Sequence, residues 1–200
     1  ATVSSTGLVT GVSAGNSVIT YTNSNGCKIT DLVIVNSLPT VITAAVTPSS
    51  VCGSGQVVFS ATPSSGSIKW YNSSTGGTEV TILNPTISST TTYYAEAISS
   101  SGCISFSRSP VTATVNVLPI APTGPSPQTF CSGTSPTVAS LSATGTTLKW
   151  YDAATGGNLL TSSTALLNGN HYYASQTSAA GCESSLRLNV SAIVNTTPDA

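Results

Sequence analysis

The sequence predicts an all-β chain of tandem β-sandwich domains in an extended array. Three observations carry that prediction: a composition rich in β-branched and hydroxyl residues but poor in charge, an internal repeat, and apolar–polar alternation of period two.

Only 6% of the residues are charged while 39% are hydrophobic, and the formal net charge is −1. Disordered segments carry high net charge and few β-branched residues, whereas Val, Ile and Thr recur throughout this chain. A surface made mostly of hydroxyls and amides follows. The five Lys plus Arg make no basic patch in the sequence, which argues against nucleic acid and anionic membrane as partners, since those contacts need clustered cations. The longest apolar runs, Leu32 to Val35 and the interrupted Val111 to Val117, fall well short of the roughly 20 residues a membrane helix requires. The opening Ala1-Thr2-Val3-Ser4-Ser5 does not read as a signal peptide. Export is expected to be directed from elsewhere in the gene, or by a signal already removed.

The repeat sets the domain boundaries. Cys52, Ile68-Lys69-Trp70-Tyr71, Thr75-Gly76-Gly77, Thr92-Tyr93-Tyr94-Ala95 and Ser101-Gly102-Cys103 return as Cys131, Leu148-Lys149-Trp150-Tyr151, Thr155-Gly156-Gly157, His171-Tyr172-Tyr173-Ala174 and Ala180-Gly181-Cys182. The offset is 79 at the cysteines (131 minus 52) and 80 at the tryptophans (150 minus 70). Residues 40–118 and 119–197 are therefore two copies of one domain. Residues 1–39 read as the back half of a preceding domain, because Asn25-Gly26-Cys27 and Leu32 to Asn36 resemble the end of a copy. Residues 198–200 read as the start of the next linker.

Within the first copy, strands are expected at 42–47, 56–62, 68–72, 78–82, 91–98 and 107–117, separated by turn residues. Short strands at this spacing indicate a sandwich of the immunoglobulin type. Val111, Ala113, Val115 and Val117 alternate with Thr112, Thr114 and Asn116, and Leu188, Val190, Ala192 and Val194 repeat the pattern, so one face is buried and the other wet. No window keeps the three-and-four spacing of a helix.

Trp70 and Trp150 are assigned to the core as the inter-sheet residue of the third strand. Alternation then sends Lys69, Tyr71, Lys149 and Tyr151 outward. Tyr71 and Tyr151 are the candidates for ligand contact; the alternative is ordinary cross-strand packing. Of the tyrosine pairs, Tyr93 and Tyr172 are assigned inward with Ala95, Ala97 and Ala174.

Cys52 and Cys103 are 51 apart, as are Cys131 and Cys182, and equal spacing in each copy predicts one intradomain disulfide per repeat, Cys52–Cys103 and Cys131–Cys182. Closing such a loop contributes about 4 kcal/mol in the chain-entropy view. Cys27 is expected to pair with a cysteine upstream of Ala1. The second cysteine of each pair lies beyond the strand, in a turn, so the expected bridge ties one end of the sandwich. Metal ligation is the weaker alternative, since no CxxC or Cys/His cluster is present.

No catalytic, cofactor or metal site is predicted. The only histidine, His171, has Thr92 as its counterpart, and nothing supplies a nucleophile and orienting acid around it. Asp31, Glu79, Glu96, Asp152, Glu183 and Asp199 are scattered singly, which allows neither paired carboxylates for glycoside cleavage nor a calcium loop. Lys69 or Lys149 could join an Asn as an isopeptide only with an acid beside it.

Lys-Trp-Tyr followed by Thr-Gly-Gly, Thr-Tyr-Tyr and Ser-Gly-Cys resembles the immunoglobulin-like repeat of very long cell-surface proteins of Bacteroidota, gliding-motility adhesins among them. Val3-Ser4-Ser5-Thr6-Gly7-Leu8-Val9-Thr10-Gly11-Val12-Ser13-Ala14-Gly15 resembles the bacterial Ig-like group 2 domain of surface adhesins. These resemblances imply an exported, cell-surface chain that uses the type IX secretion system. Its partners would be neighbouring repeats of the same chain, with surface polysaccharide or the secretion and motility machinery as further candidates. Three roles are open on the sequence: a structural stalk or filament segment of a large adhesin, a polysaccharide-binding module, and a non-catalytic spacer in a secreted hydrolase.

The linker Val117-Leu118-Pro119-Ile120-Ala121-Pro122 is short and apolar, and its two prolines fix φ and remove donors, so it is stiffer than a Gly/Ser tether. Solution scattering on residues 41–197 should therefore give an elongated profile. A maximum dimension near that of one globule would contradict the array.

Overall fold

Hydroxyl and apolar side chains in alternation, punctuated by Gly, Pro and Asn, produce sixteen short strands and two 3-10 turns in the computed structural model, which describes residues 1–198. Of the expected next linker, residues 199 and 200 lie outside the described residues. The chain forms two compact units, one ending at Thr114 and the other starting at Val115.

At the start, β1 (Thr2–Val3) pairs with β2 (Val9–Thr10), and β3 (Gly15–Thr22) pairs with β4 (Lys28–Val35) antiparallel along its whole length. The turn between β3 and β4 is closed by Asn23, whose Oδ1 accepts the N–H groups of Asn25 and Cys27. Neither β3 nor β4 contains a buried residue. A two-stranded ribbon has no second layer to bury its apolar side chains against.

The first repeat consists of β5 (Val41–Thr47), β6 (Ser50–Cys52), β7 (Gly55–Gln56), β8 (Val58–Pro63), β9 (Ser67–Tyr71), β10 (Thr86–Ile87), β11 (Thr91–Ile98) and β12 (Ser109–Asn116). One layer is a four-stranded sheet of order β6-β12-β11-β9; the other combines the pairs β5-β8 and β7-β10. The chain changes layers between β5 and β6 at the Thr47–Pro48 peptide, which is cis. The strand expected at 78–82 contracts to one bridge, Tyr71 to Glu79, made by the Val80 N–H on the Trp70 carbonyl and the Asn72 N–H on the Thr78 carbonyl. Gly76 and Gly77, both at positive φ, turn the chain too sharply beside β9 for a longer ladder.

The core follows the period-two pattern. Phe59, Trp70, Ala95, Ala97, Val111 and Ala113 are buried, with Trp70 only 4% exposed. Phe59 meets Trp70 edge-on at 5.8 Å between centroids and Tyr93 at 4.6 Å, the geometry aromatic quadrupoles favour. Ala95 lies opposite Trp70 in register, a small residue beside a large one.

The second repeat keeps the four-stranded sheet, formed by β13 (Gln128–Cys131), β14 (Leu148–Tyr151), β15 (His171–Gln176) and β16 (Leu188–Asn195) in the order β13-β16-β15-β14. Its other layer is reduced to isolated bridges, Thr123 to Thr144 and Thr137 to Ala165, and a 3-10 turn at Val138–Ser140. Val138, Leu166, Trp150, Tyr172, Ala174, Val190 and Ala192 form its core. The Tyr172 hydroxyl, at the rim, accepts the N–H of Leu167 at 2.9 Å.

Removing either indole leaves a cavity that the surrounding pleats cannot close. Trp70→Ala is expected to cost about 3–5 kcal/mol, and Tyr71→Ala, at a half-buried position, clearly less. Denaturant unfolding followed on the first-repeat transition checks this; equal, small losses would place the indole outside the core.

Candidate functional site

The residue after each tryptophan faces out of the sandwich, and its surroundings decide whether it can meet a ligand. Tyr71 and Tyr151 are half-buried. The Arg108 guanidinium carbon lies 3.4 Å from the centroid of the Tyr71 ring, and that of Arg187 lies 3.4 Å from the Tyr151 ring. A cation stacked this closely interacts with the ring quadrupole and occupies the face a sugar would use. Each arginine is pinned in turn: Arg108 Nη1 donates to the carbonyls of Ser73 and Gly76, and Arg187 Nη1 to those of Ala153 and Gly156. The Thr-Gly-Gly turn is thereby fastened to the tyrosine. The same turn is held from inside by Asn72 Oδ1 on the Thr78 N–H, and by Asp152 Oδ1 on the Asn158 N–H.

The two copies complete the cluster with carboxylates from different places. In the first, Glu96 on β11 accepts the Arg108 Nε–H at 3.0 Å, both side chains being 11% exposed, while Lys69 pairs with Glu79 at 2.9 Å on the surface. In the second, Ser175 stands where Glu96 does, Leu159 where Glu79 does, and Glu183 where Ile104 does. Glu183 alone accepts Lys149 Nζ at 2.9 Å, the Tyr151 hydroxyl at 2.8 Å and Ser175 Oγ at 2.6 Å. Burial raises the Glu183 pKa, but the hydrogen bonds from Ser175, Lys149 and Tyr151 outweigh it and hold the carboxyl at about 2. Tyr151 is shifted upward, by burial first and then by its bond and proximity to Glu183. Both lysines meet carboxylates rather than an asparagine.

His171 is exposed, with Nδ1 2.8 Å from Asn189 Oδ1. Among the described residues no three His, Cys, Asp or Glu side chains gather as metal ligands, and no helix is long and apolar enough to cross a membrane.

The cysteines correct the sequence reading. The thiols of Cys27, Cys103 and Cys131 are free, and Cys52 and Cys182 are disulfide-bonded. The intradomain bridges Cys52–Cys103 and Cys131–Cys182 are therefore not formed, and strand polarity explains why. β13 runs parallel to β16, with Cys131 opposite Asn195 at the far end of β16. Cys182 lies in the turn before β16 begins, its N–H bonded to Ser178 Oγ. From Leu188 to Asn195 is seven steps, about 23 Å of strand, whereas a disulfide needs Cα atoms within about 7 Å. In the first copy β6 likewise lies beside β12, with the Ser49 carbonyl accepting the Thr114 N–H, and Cys103 sits in the turn preceding β12. Equal spacing identified equivalent residues without revealing that the pair stands at opposite ends.

The model of the Ig-like domain described as CHU_C associated matches residues 39–116 and 119–196. This chain belongs to that family. The CHU_C-associated Ig-like chain is also similar to two solved structures. One is of a 1.5-MDa bacterial ice-binding adhesin studied for host cell surface retention, with 12% identity, a TM-score of 0.39, and coverage of 91% of this chain and 74% of that one. The other is of a Ca2+-stabilized adhesin that helps an Antarctic bacterium reach out and bind ice, with 12% identity, a TM-score of 0.36, and coverage of 92% and 57%. No curated protein matches.

The Glu183 cluster makes stability depend on pH with a definite sign. Its carboxyl titrates at about 2 when folded against the ordinary 4.5, so its contribution is complete above 4.5 and is lost as pH falls through about 2. Acidification from about pH 6 to 2 should therefore cost the second repeat about 2 kcal/mol more than it costs Glu183→Gln, the side chain being about one-third exposed. Denaturant titrations at several pH values on both proteins test this; parallel pH curves would contradict it.

Proposed function

We propose that this chain is a structural segment of a large, secreted bacterial cell-surface adhesin, in which the Ig-like repeats bear load and set reach while ligand binding is done elsewhere. The observation that carries this reading is the occupied tyrosine. Tyr71 and Tyr151 are the aromatic rings that strand alternation turns outward beside the core indoles, yet in both copies an arginine lies across the ring face. The features the copies share are thus used within each repeat: the indole in the core, the stacked arginine, and the Thr-Gly-Gly turn it fastens. That is the expectation for an element whose task is to persist under tension and repeat.

The resemblance to Bacteroidota surface repeats, and to a group 2 Ig-like domain over residues 1–39, supports an outer-surface location, export by type IX secretion, and a role in attachment or gliding. The partners in this reading are neighbouring repeats of the same chain.

A glycan array and a pull-down on insoluble polysaccharides with the 200-residue chain should show no retention above a denatured control. Retention that falls at least tenfold in Tyr71→Ala or Tyr151→Ala would overturn the stalk reading in favour of a polysaccharide-binding module.

A further inference from the structure

Each repeat carries one cysteine at each end of its sandwich. In the second repeat Cys131 stands beside the last residue of β16, at the end where the chain leaves the domain. Cys182 occupies the turn at the opposite end. The first repeat has the same arrangement, with Cys52 closing β6 and Cys103 in the corresponding turn, where its N–H bonds Ser99 Oγ. The oxidation states are crossed between the copies. Of the strand-end cysteines, Cys52 is disulfide-bonded and Cys131 is free; of the turn cysteines, Cys182 is disulfide-bonded and Cys103 is free. Both positions are therefore able to form disulfides in this fold, and neither can close its own repeat.

We propose that the cysteines of this family member link repeat to repeat: Cys131 bonds the turn cysteine of another copy of the repeat, and Cys103 bonds the strand-end cysteine of another copy. Cys131 is exposed and Cys103 is partly exposed, so both are accessible to a partner. The partner is defined by its chemistry, a thiol in a Ser/Ala-Gly-Cys turn or at the end of a β6-type strand. The oxidant is a disulfide, either of a thiol–disulfide oxidoreductase in the oxidising compartment or of oxidised glutathione in vitro. One cysteine thiolate attacks that disulfide and displaces the first thiol of the oxidant. The second cysteine thiolate then attacks the mixed disulfide and displaces the other. The protein thiols lose two electrons and two protons, and the oxidant is reduced to two thiols.

The protein suits a direct test because its five cysteines are separated by Lys28, Lys69, Arg108 and Lys149, so every cysteine falls in a different tryptic peptide and each pairing has its own mass. A Cys27→Ser chain, with the exposed ribbon-turn thiol removed, is incubated concentrated in a glutathione redox buffer and mapped without reduction. Expected is a ladder of covalent oligomers that reduction collapses to monomer. A peptide pair joining Cys131 to Cys103 should appear, lighter by two hydrogens than the two thiol peptides together. Adding Cys131→Ser should abolish the ladder while leaving the circular dichroism spectrum unchanged. Three results would overturn the proposal: Cys131 linked to Cys182 or Cys52 to Cys103; a ladder made only of like-to-like pairs; or chains that stay monomeric with Cys103 and Cys131 quantitatively alkylated.

Discussion

The alternation of the Lys-Trp-Tyr strand is the constraint on which the rest of each repeat depends. A pleated strand sends successive side chains to opposite faces, so burying the indole commits the following tyrosine to the outer face. That tyrosine becomes the platform for an arginine arriving from the start of the last strand, and the arginine's remaining donors reach the carbonyls of the Thr-Gly-Gly turn. Core, outer face and turn are thus one connected unit in each copy. The weak ladder beyond β9 is tolerated because side chains and glycine geometry hold that segment instead.

The two copies place their carboxylates differently around the same tyrosine and arginine. Burying Arg108 against the sheet requires an acceptor close by, since an unpaired buried charge is strongly destabilising, and Glu96 supplies it from the neighbouring strand. In the second copy the strand position is Ser175 and the carboxylate comes from the following turn as Glu183, which serves lysine, tyrosine and serine together. The changes at Glu96, Glu79 and Ile104 are intelligible only as a set. Glu183 opposite a buried Glu96 would put two carboxylates on one patch, and Leu159 leaves Lys149 without a partner unless Glu183 is present.

Strand polarity governs the cysteines in the same way. A strand such as β13, which runs parallel to the last strand of its sheet, finishes at the end opposite the turn that feeds that last strand. Cysteines at those two places are separated by the length of the sheet, whatever their distance along the chain.

The all-β class, the tandem repeat and the inward phase of Trp70, Ala95 and Val111 were legible in the sequence because they rest on local periodicity and on self-comparison, both one-dimensional properties. The clusters around Tyr71 and Tyr151 were not. Their tyrosines were visible as outward-facing, but the arginines that cover them lie 36 or 37 residues further along the chain, and only the fold brings them together. The cysteine pairing failed for the same reason: equal spacing reports equivalence between copies, whereas bonding depends on which end of the sandwich each residue reaches. That is decided by the parallel pairing of the strand-end segment with the last strand, a long-range contact with no local signature.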